Sequence, residues 1–152
     1  MAKRFTDSDK WRDEWFLSLP NDYRIVWLYM VDQCTPAGRF KKGLKLMNFC
    51  CNTDLDEPGL MDIFNGRLID CGTFFFIPKF LKFQYARGLN SDKPAIVGVR
   101  RELEEHDLCG IVNDLYGNDY LMISNRSKTI KDKDKDKDTD KDKAKDMDKA
   151  KG

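Results

Sequence analysis

The sequence predicts a mainly α domain of α+β type, with a small C-terminal helical extension and a disordered charged tail. Three observations carry this. Apolar residues recur at helical spacing in several segments of the first 127 residues. One β-prone stretch, Thr73-Phe-Phe-Phe-Ile77, follows another, Arg67-Leu-Ile-Asp70, across a Cys71-Gly72 turn. From Lys128 to Gly152 the composition then changes to 10 Lys and 8 Asp in 25 residues, without an aromatic side chain.

The elements follow in order. Residues 6–19 carry Trp11, Trp15, Phe16 and Leu19 at one-face helical spacing, and Pro20 ends that helix. Asn21 caps a second helix reaching about Gln33, with Tyr23, Val26, Trp27, Met30 and Val31 inward and Ile25 and Leu28 widening the arc. Pro36-Ala-Gly38 breaks it. Arg39-Phe40-Lys41 is short and extended. Leu44 to Cys51 is a third helix with Leu46, Phe49 and Cys50 apolar, and Asn52-Thr-Asp54 is a turn. Asp56-Glu-Pro58 opens a fourth helix carrying Leu60, Met61, Ile63 and Phe64, closed by Asn65-Gly66. The hairpin follows.

Helix, short strand, helix, turn, helix, strand, strand is the order of a winged helix-turn-helix, with its core at about residues 20–80. Beyond it, residues 78–85 interleave aromatics with lysines, 88–92 form a loop, and Pro94 to His106 is another helix. Residues 110–123 close the lobe with one helical turn and a strand, Tyr120-Leu-Met-Ile123. The domain spans residues 1–127.

The tail alternates Lys and Asp from Lys131 to Asp138. A helix would set like charges four residues apart, Asp is a poor helix former, and a strand would have nothing to bury, so disorder is expected over 128–152. Such repeats also constrain the codons. The repeat therefore has two readings: a DNA element such as an origin of replication, or a plain linker.

Charge bounds the function. The whole chain carries 27 Lys+Arg against 26 Asp+Glu; without the tail, 17 against 18 remain, a net of −1. No apolar run approaches the roughly 18 residues of a membrane span, and the N-terminus has no apolar signal core, so a soluble, cytoplasmic protein is expected. The five cysteines have no paired spacing, which argues against zinc. The single histidine, His106, lies among carboxylates; a solvated helix end is the plainer reading beside a general base. No phosphate-binding loop, nucleophile elbow or dinucleotide fingerprint occurs. The expectation is a non-enzyme without a cofactor.

Local charge points to nucleic acid. Arg39, Lys41, Lys42 and Lys45 give +4 in seven residues. Lys79, Lys82, Arg87, Lys93, Arg100 and Arg101 stand against Asp92 alone, and Lys3, Arg4 and Lys10 form an arm. The residues assigned to phosphate contact are Lys3, Arg4, Arg39, Lys41, Lys42, Lys45, Arg67, Lys79, Lys82, Arg87, Arg100 and Arg101. Phe83 or Tyr85 is a candidate for stacking on an exposed base, although aromatics here also suit a core. The fourth helix is a poor groove reader: Asn52 to Asp70 holds five acids against Arg67. The alternative is a protein-interaction adaptor that docks replication or host proteins through the acidic segment Asp54–Asp62.

Several stretches together resemble a known family. They are Ala2-Lys-Arg-Phe-Thr-Asp-Ser-Asp-Lys-Trp11, Trp15-Phe16, Leu19-Pro20, Trp27-Leu28-Tyr29, Asp32-Gln-Cys34 and Ala37-Gly38. Asn65-Gly-Arg67, Phe76-Ile-Pro-Lys-Phe80, Phe83-Gln-Tyr85 and Gly88-Leu-Asn90 follow in consistent order. Residues 2–124 are similar to the N-terminal domain of phage replication initiators, the replisome-organiser and DnaD-like group. The resemblance implies a winged-helix fold and a role in starting phage or prophage DNA replication in a bacterial host cell. Its implied partners are origin or double-stranded DNA, a host helicase loader or primase, and further copies of the chain. Lys42-Gly43 departs from the acidic or apolar pair common in the family. The chain ends at Gly152 within the charged tail, so the expectation is a minimal form that keeps the binding module.

Overall fold

The computed structural model describes residues 4–121. The expected disordered tail, the repeat element, Lys3 and the last two residues of the expected closing strand lie outside them.

The N-terminal helix is two pieces. A 3₁₀ turn, Ser8–Arg12, precedes α1, Glu14–Ser18. The break has a local cause. The Asp7 carboxylate accepts from the Asp9 N–H, and the Asp13 carboxylate accepts from the Trp15 N–H, so a second cap restarts the chain. Leu19 and Pro20 lead into α2, Asn21–Gln33, where Pro20 holds the cap position expected for Asn21. Val26, Trp27 and Met30 are buried, as their spacing predicts.

β1, Arg39–Lys41, follows a turn closed by Gly38. Its φ is +93°, and an added Cβ would stand 2.8 Å from the Ile77 carbonyl, so only glycine suits this approach. α3, Leu44–Cys51, ends on left-handed Asn52. α4 is Glu57–Ile63, with Pro58 in its first turn and Asp56 capping the Gly59 N–H. Asn48 staples the connection between the two helices. Its amide donates to the Leu55 carbonyl at 2.9 Å, and its oxygen accepts from the Thr53 hydroxyl and the Leu55 N–H at 2.7 and 2.9 Å.

β2, Ile69–Asp70, and β3, Phe74–Phe76, complete an antiparallel sheet of order β1-β3-β2. Phe40 pairs with Phe75, and Asp70 pairs with Phe75 on the other side. β3 is thus the central strand, and all three of its phenylalanines are buried. Alternation divides them between two cores. Phe75 packs with Phe16, Val26, Trp27, Met47, Leu60 and Phe64. Phe74 and Phe76 pack with Leu81, Leu89, Val99, Leu103, Val112 and Tyr120.

The second core is built by elements after the hairpin. Residues 78–85, interleaved but unassigned in the sequence, form α5, Pro78–Gln84, with Pro78 in its first turn. α6 is Pro94–Glu105 and α7 is Cys109–Tyr116. The strand expected from Tyr120 is instead a 3₁₀ turn, Asn118–Tyr120. Its buried Tyr120 hydroxyl donates to the Tyr85 carbonyl at 2.6 Å, a contact an extended segment would give up. The described chain is therefore mainly helical with one small antiparallel sheet. None of its helices is long and apolar enough to cross a membrane.

Phe64 is the hub of the first core, with ring centroids of Trp27, Tyr23 and Trp15 at 5.0, 5.8 and 6.1 Å. Phe64→Ala should cost about 3–5 kcal/mol in a urea titration, as for buried aromatic truncations generally. Phe49→Ala, on an 83% exposed side chain, should stay within about 0.5 kcal/mol.

Candidate nucleic-acid interface

The basic residues divide by what their charge already does. Arg4 donates to the Val31 carbonyl at 3.1 Å and lies over the Phe80 ring, pinning the N-terminal arm to the last turn of α2. Arg39 pairs with Glu102 at 2.6 Å and lies over Phe74, tying β1 to α6. Lys42 bridges Glu57 and Asp70 at 2.6 and 2.8 Å and sits over Phe75. Arg67 stacks 4.0 Å from the Trp15 ring centroid. Lys82 lies over Tyr116 and Tyr120 and donates to the Ala86 carbonyl. Arg100 donates to the carbonyls of Leu89 and Ser91, clamping the loop before α6. These six are fastenings of the fold first. Moving any of them to a phosphate means breaking a contact already made.

Lys41, Lys45, Lys79, Arg87 and Arg101 are different. All five are exposed, and none has an ion-pair or side-chain hydrogen-bond partner among the described residues. Among the residues assigned to phosphate contact, they are the charges ready for an external anion.

One of the five borders a cavity of about 340 Å³ between the N-terminal arm, α1, α2 and α5. Trp15, Phe16, Trp27, Phe80, Phe83 and Tyr116 supply rings to its wall, and Arg4, Lys10, Arg67, Lys79 and Lys82 supply cations. Three aspartates also line it. Two of these, Asp7 and Asp13, are committed to backbone N–H groups as caps. Lys79 and Phe83 stand one turn apart on α5, so ring and ammonium share a face of the cavity wall. Phe83 is 42% exposed, whereas its neighbours Phe80 and Leu81 are buried. Trp15 and Trp27 are not among the sequence candidates for binding, whereas Lys10 belongs to the basic N-terminal arm read from the sequence. Helical spacing marks both tryptophans as core, and nothing in the pattern tells a core ring from one that also lines a cavity.

The α4 surface has the opposite sign. Asp54, Asp56 and Asp62 are exposed, and Glu57 and Asp70 together outnumber the one lysine they share. The turn between β2 and β3 carries no base. His106, expected as a solvated helix end, is half-buried, with its ring edge-on to Phe74 at 5.4 Å. Among the cysteines, burial pushes the Cys34 thiol up to about 11 despite the opposing charge and hydrogen bond of Arg4. No three His, Cys, Asp or Glu side chains converge as metal ligands would among the described residues.

No family model, curated protein or solved structure matches the chain.

The Lys42 cluster has a pH signature. Desolvation lowers the Lys42 ammonium, but its hydrogen bonds to Asp70 and Glu57 outweigh this and hold it above its usual value. The hydrogen bond from Lys42, with one from the Gly72 N–H, holds Asp70 below the usual carboxylate value. A depressed carboxylate contributes stability that is present above its unfolded value and lost as pH falls through its folded one. Lys42→Ala should therefore narrow its stability gap from wild type as pH drops through and below the ordinary carboxylate range. Urea titrations at stepped pH check this.

Proposed function

We propose that the protein is a winged-helix DNA-binding module for initiating phage or prophage DNA replication, and that it engages nucleic acid through the α5 face rather than through α4. Three features support this reading. The element order α2-β1-α3-α4-β2-β3 with sheet order β1-β3-β2 suits a winged helix. The resemblance to phage replication initiators runs along the described residues in order. The observation that carries the site is the cavity whose wall sets Lys79 beside Phe83, together with the rings of Trp15, Trp27 and Phe80.

The physical case is simple. A base has two apolar faces and a phosphate on either side. Phe83, half-exposed beside Lys79, offers a stacking surface with a phosphate partner one helical turn away. α4 offers carboxylates where a groove-reading helix needs donors, and phosphate would be repelled there. The five exposed cations supply the salt-dependent part of binding, and the aromatic cavity favours a single-stranded or opened segment.

The second reading is an adaptor that docks a helicase loader, a primase or another replication protein on the acidic side. The observation favouring it is that Asp54 and Asp62 are exposed with no partner among the described residues. Asp62→Lys should abolish partner capture and leave DNA binding intact if the adaptor reading holds.

The test is a salt-series gel shift on single- and double-stranded DNA from the gene's own repeat region. If three of the exposed cations meet phosphates, affinity should fall about 40-fold between about 50 and 200 mM salt. Lys79→Ala should reduce that salt slope by about one. Phe83→Ala should weaken single-strand binding by roughly 5- to 150-fold without changing the slope. Binding that is flat in salt and indifferent to Lys79 would overturn the reading.

A further inference from the structure

The aromatic cavity holds several groups whose bonding is incomplete. At about 340 Å³ it lies at the small end of ligand cavities, nearer the size of a nucleotide than of a docked peptide. Most of its rings are engaged. Trp15 packs against Trp27 and carries Arg67, Phe16 carries Arg24, Phe80 carries Arg4, and Tyr116 carries Lys82. Among the lining rings, Phe5 and Phe83 alone meet neither a ring nor a cation among the described residues. Both are exposed, and the Gln84 amide donates to the Phe5 carbonyl at 3.1 Å, which ties the two segments together.

The lining charges divide in the same way. Asp7 and Asp13 accept from backbone N–H groups, Lys10 donates to the Thr6 hydroxyl and the Asp7 carbonyl, and Lys82 donates to the Ala86 carbonyl. Three groups are left over. Asp32, exposed in the last turn of α2, has no ion-pair or side-chain hydrogen-bond partner among the described residues. Lys79 of α5 has none either. Arg67 is half-buried and held 4.0 Å from the Trp15 ring centroid, and none of its N–H groups has an acceptor among the described residues.

These leftovers specify a guest. Phe5 and Phe83 offer faces to a flat ring. Stacking on an indole leaves the edge donors of a guanidinium free, so a phosphate reaches Arg67 without breaking its existing contact. Asp32 offers two oxygens that only accept. Of the bases of DNA, guanine alone presents two adjacent donors on its Watson–Crick edge, N1–H and the 2-amino group. Adenine and cytosine set an amino group beside a ring-nitrogen acceptor, and thymine sets an N–H between two carbonyls. Each of those edges turns a lone pair toward a carboxylate. We propose, resting on the α5 reading above, that the cavity takes one unpaired guanine nucleotide, with its base edge on Asp32 and its phosphate on Arg67 and Lys79. The same chemistry is carried by a guanine within a single strand and by a free guanine nucleotide.

Fluorescence anisotropy on the full chain tests this with oligothymidylates, either plain or carrying one central guanine, inosine, adenine or cytosine. The guanine strand should bind about 5- to 150-fold more tightly than the adenine strand, as for a bidentate base contact. Inosine keeps N1–H and lacks the amino group, so its strand should fall between them. Asp32→Asn, a change on an exposed side chain, should erase the preference without weakening binding to plain oligothymidylate, because an amide offers one donor and one acceptor. Calorimetric titration with GMP and AMP separates the two sources of guanine. GMP bound in preference to AMP points to the free nucleotide, and a preference confined to strands points to nucleic acid. Strands that bind with no guanine preference, with GMP and AMP bound alike, overturn the proposal and leave the α5 reading standing. A guanine preference that survives Asp32→Asn overturns it too. If no strand binds but GMP still binds better than AMP, the α5 reading falls and the guanine site stands; if neither strands nor GMP bind, both fall.

Discussion

The described chain depends on one strand that must be covered on both sides. β3 holds three consecutive phenylalanines, and alternation sends Phe75 one way and Phe74 and Phe76 the other. Neither direction faces water, so two separate cores are required. The helices α1 to α4, with Phe80 of α5, provide one, and the rest of α5 with α6, α7 and Tyr120 provides the other. The segment after the hairpin is therefore no appendage. It covers a sheet face that the first four helices cannot reach. The same rings also place cations: Arg39 lies over Phe74 and Lys42 over Phe75. Burial of β3 and the positions of two basic residues of β1 and its following turn thus have one origin.

Most of the first core was legible in the sequence, because its helices carry strong periodicity and clear stop signals. α2, β1, α3 and α4 lie where spacing, Pro36-Ala-Gly38 and Asn65-Gly66 put them, but α3 buries Met47 and leaves the apolar Leu46, Phe49 and Cys50 exposed. Three places escaped. The N-terminal helix is split at Asp13, where a side-chain bond competes with helix continuation, and spacing of apolar residues says nothing about that. α5 was hidden because Pro78, Phe80, Phe83 and Tyr85 look as much like an irregular aromatic segment as a helix. Tyr120 has a strand-former's side chain, yet a tertiary hydrogen bond decides its conformation.

The candidate site was less legible, and the reason is electrostatic. A sequence shows that Arg39, Lys42 and Arg100 are cationic, but not that Glu102, Asp70 and backbone carbonyls already hold them. Counting charges along the chain overstates what is available at the surface. Lys41 and Lys42 are adjacent in sequence and opposite in role, since strand alternation turns one outward and the other onto Phe75. Glu57 is drawn into the same cluster, so part of the acidity of α4 is also internal.

The short β2 strand has a consequence for how the chain survives its own synthesis. Phe74-Phe-Phe-Ile77 is an uncharged, apolar stretch of the sort that templates cross-strand aggregation when left uncovered. Its guards are local. Pro78 follows immediately and cannot donate to a neighbouring ladder. On the other side β2 is only two residues long and ends at Asp70, whose carboxylate also accepts from the Gly72 N–H to close the turn. The edge this leaves is too short and too charged to recruit another strand. β1, the other cover, emerges some thirty residues before β3, so the partner is already waiting when the phenylalanines appear.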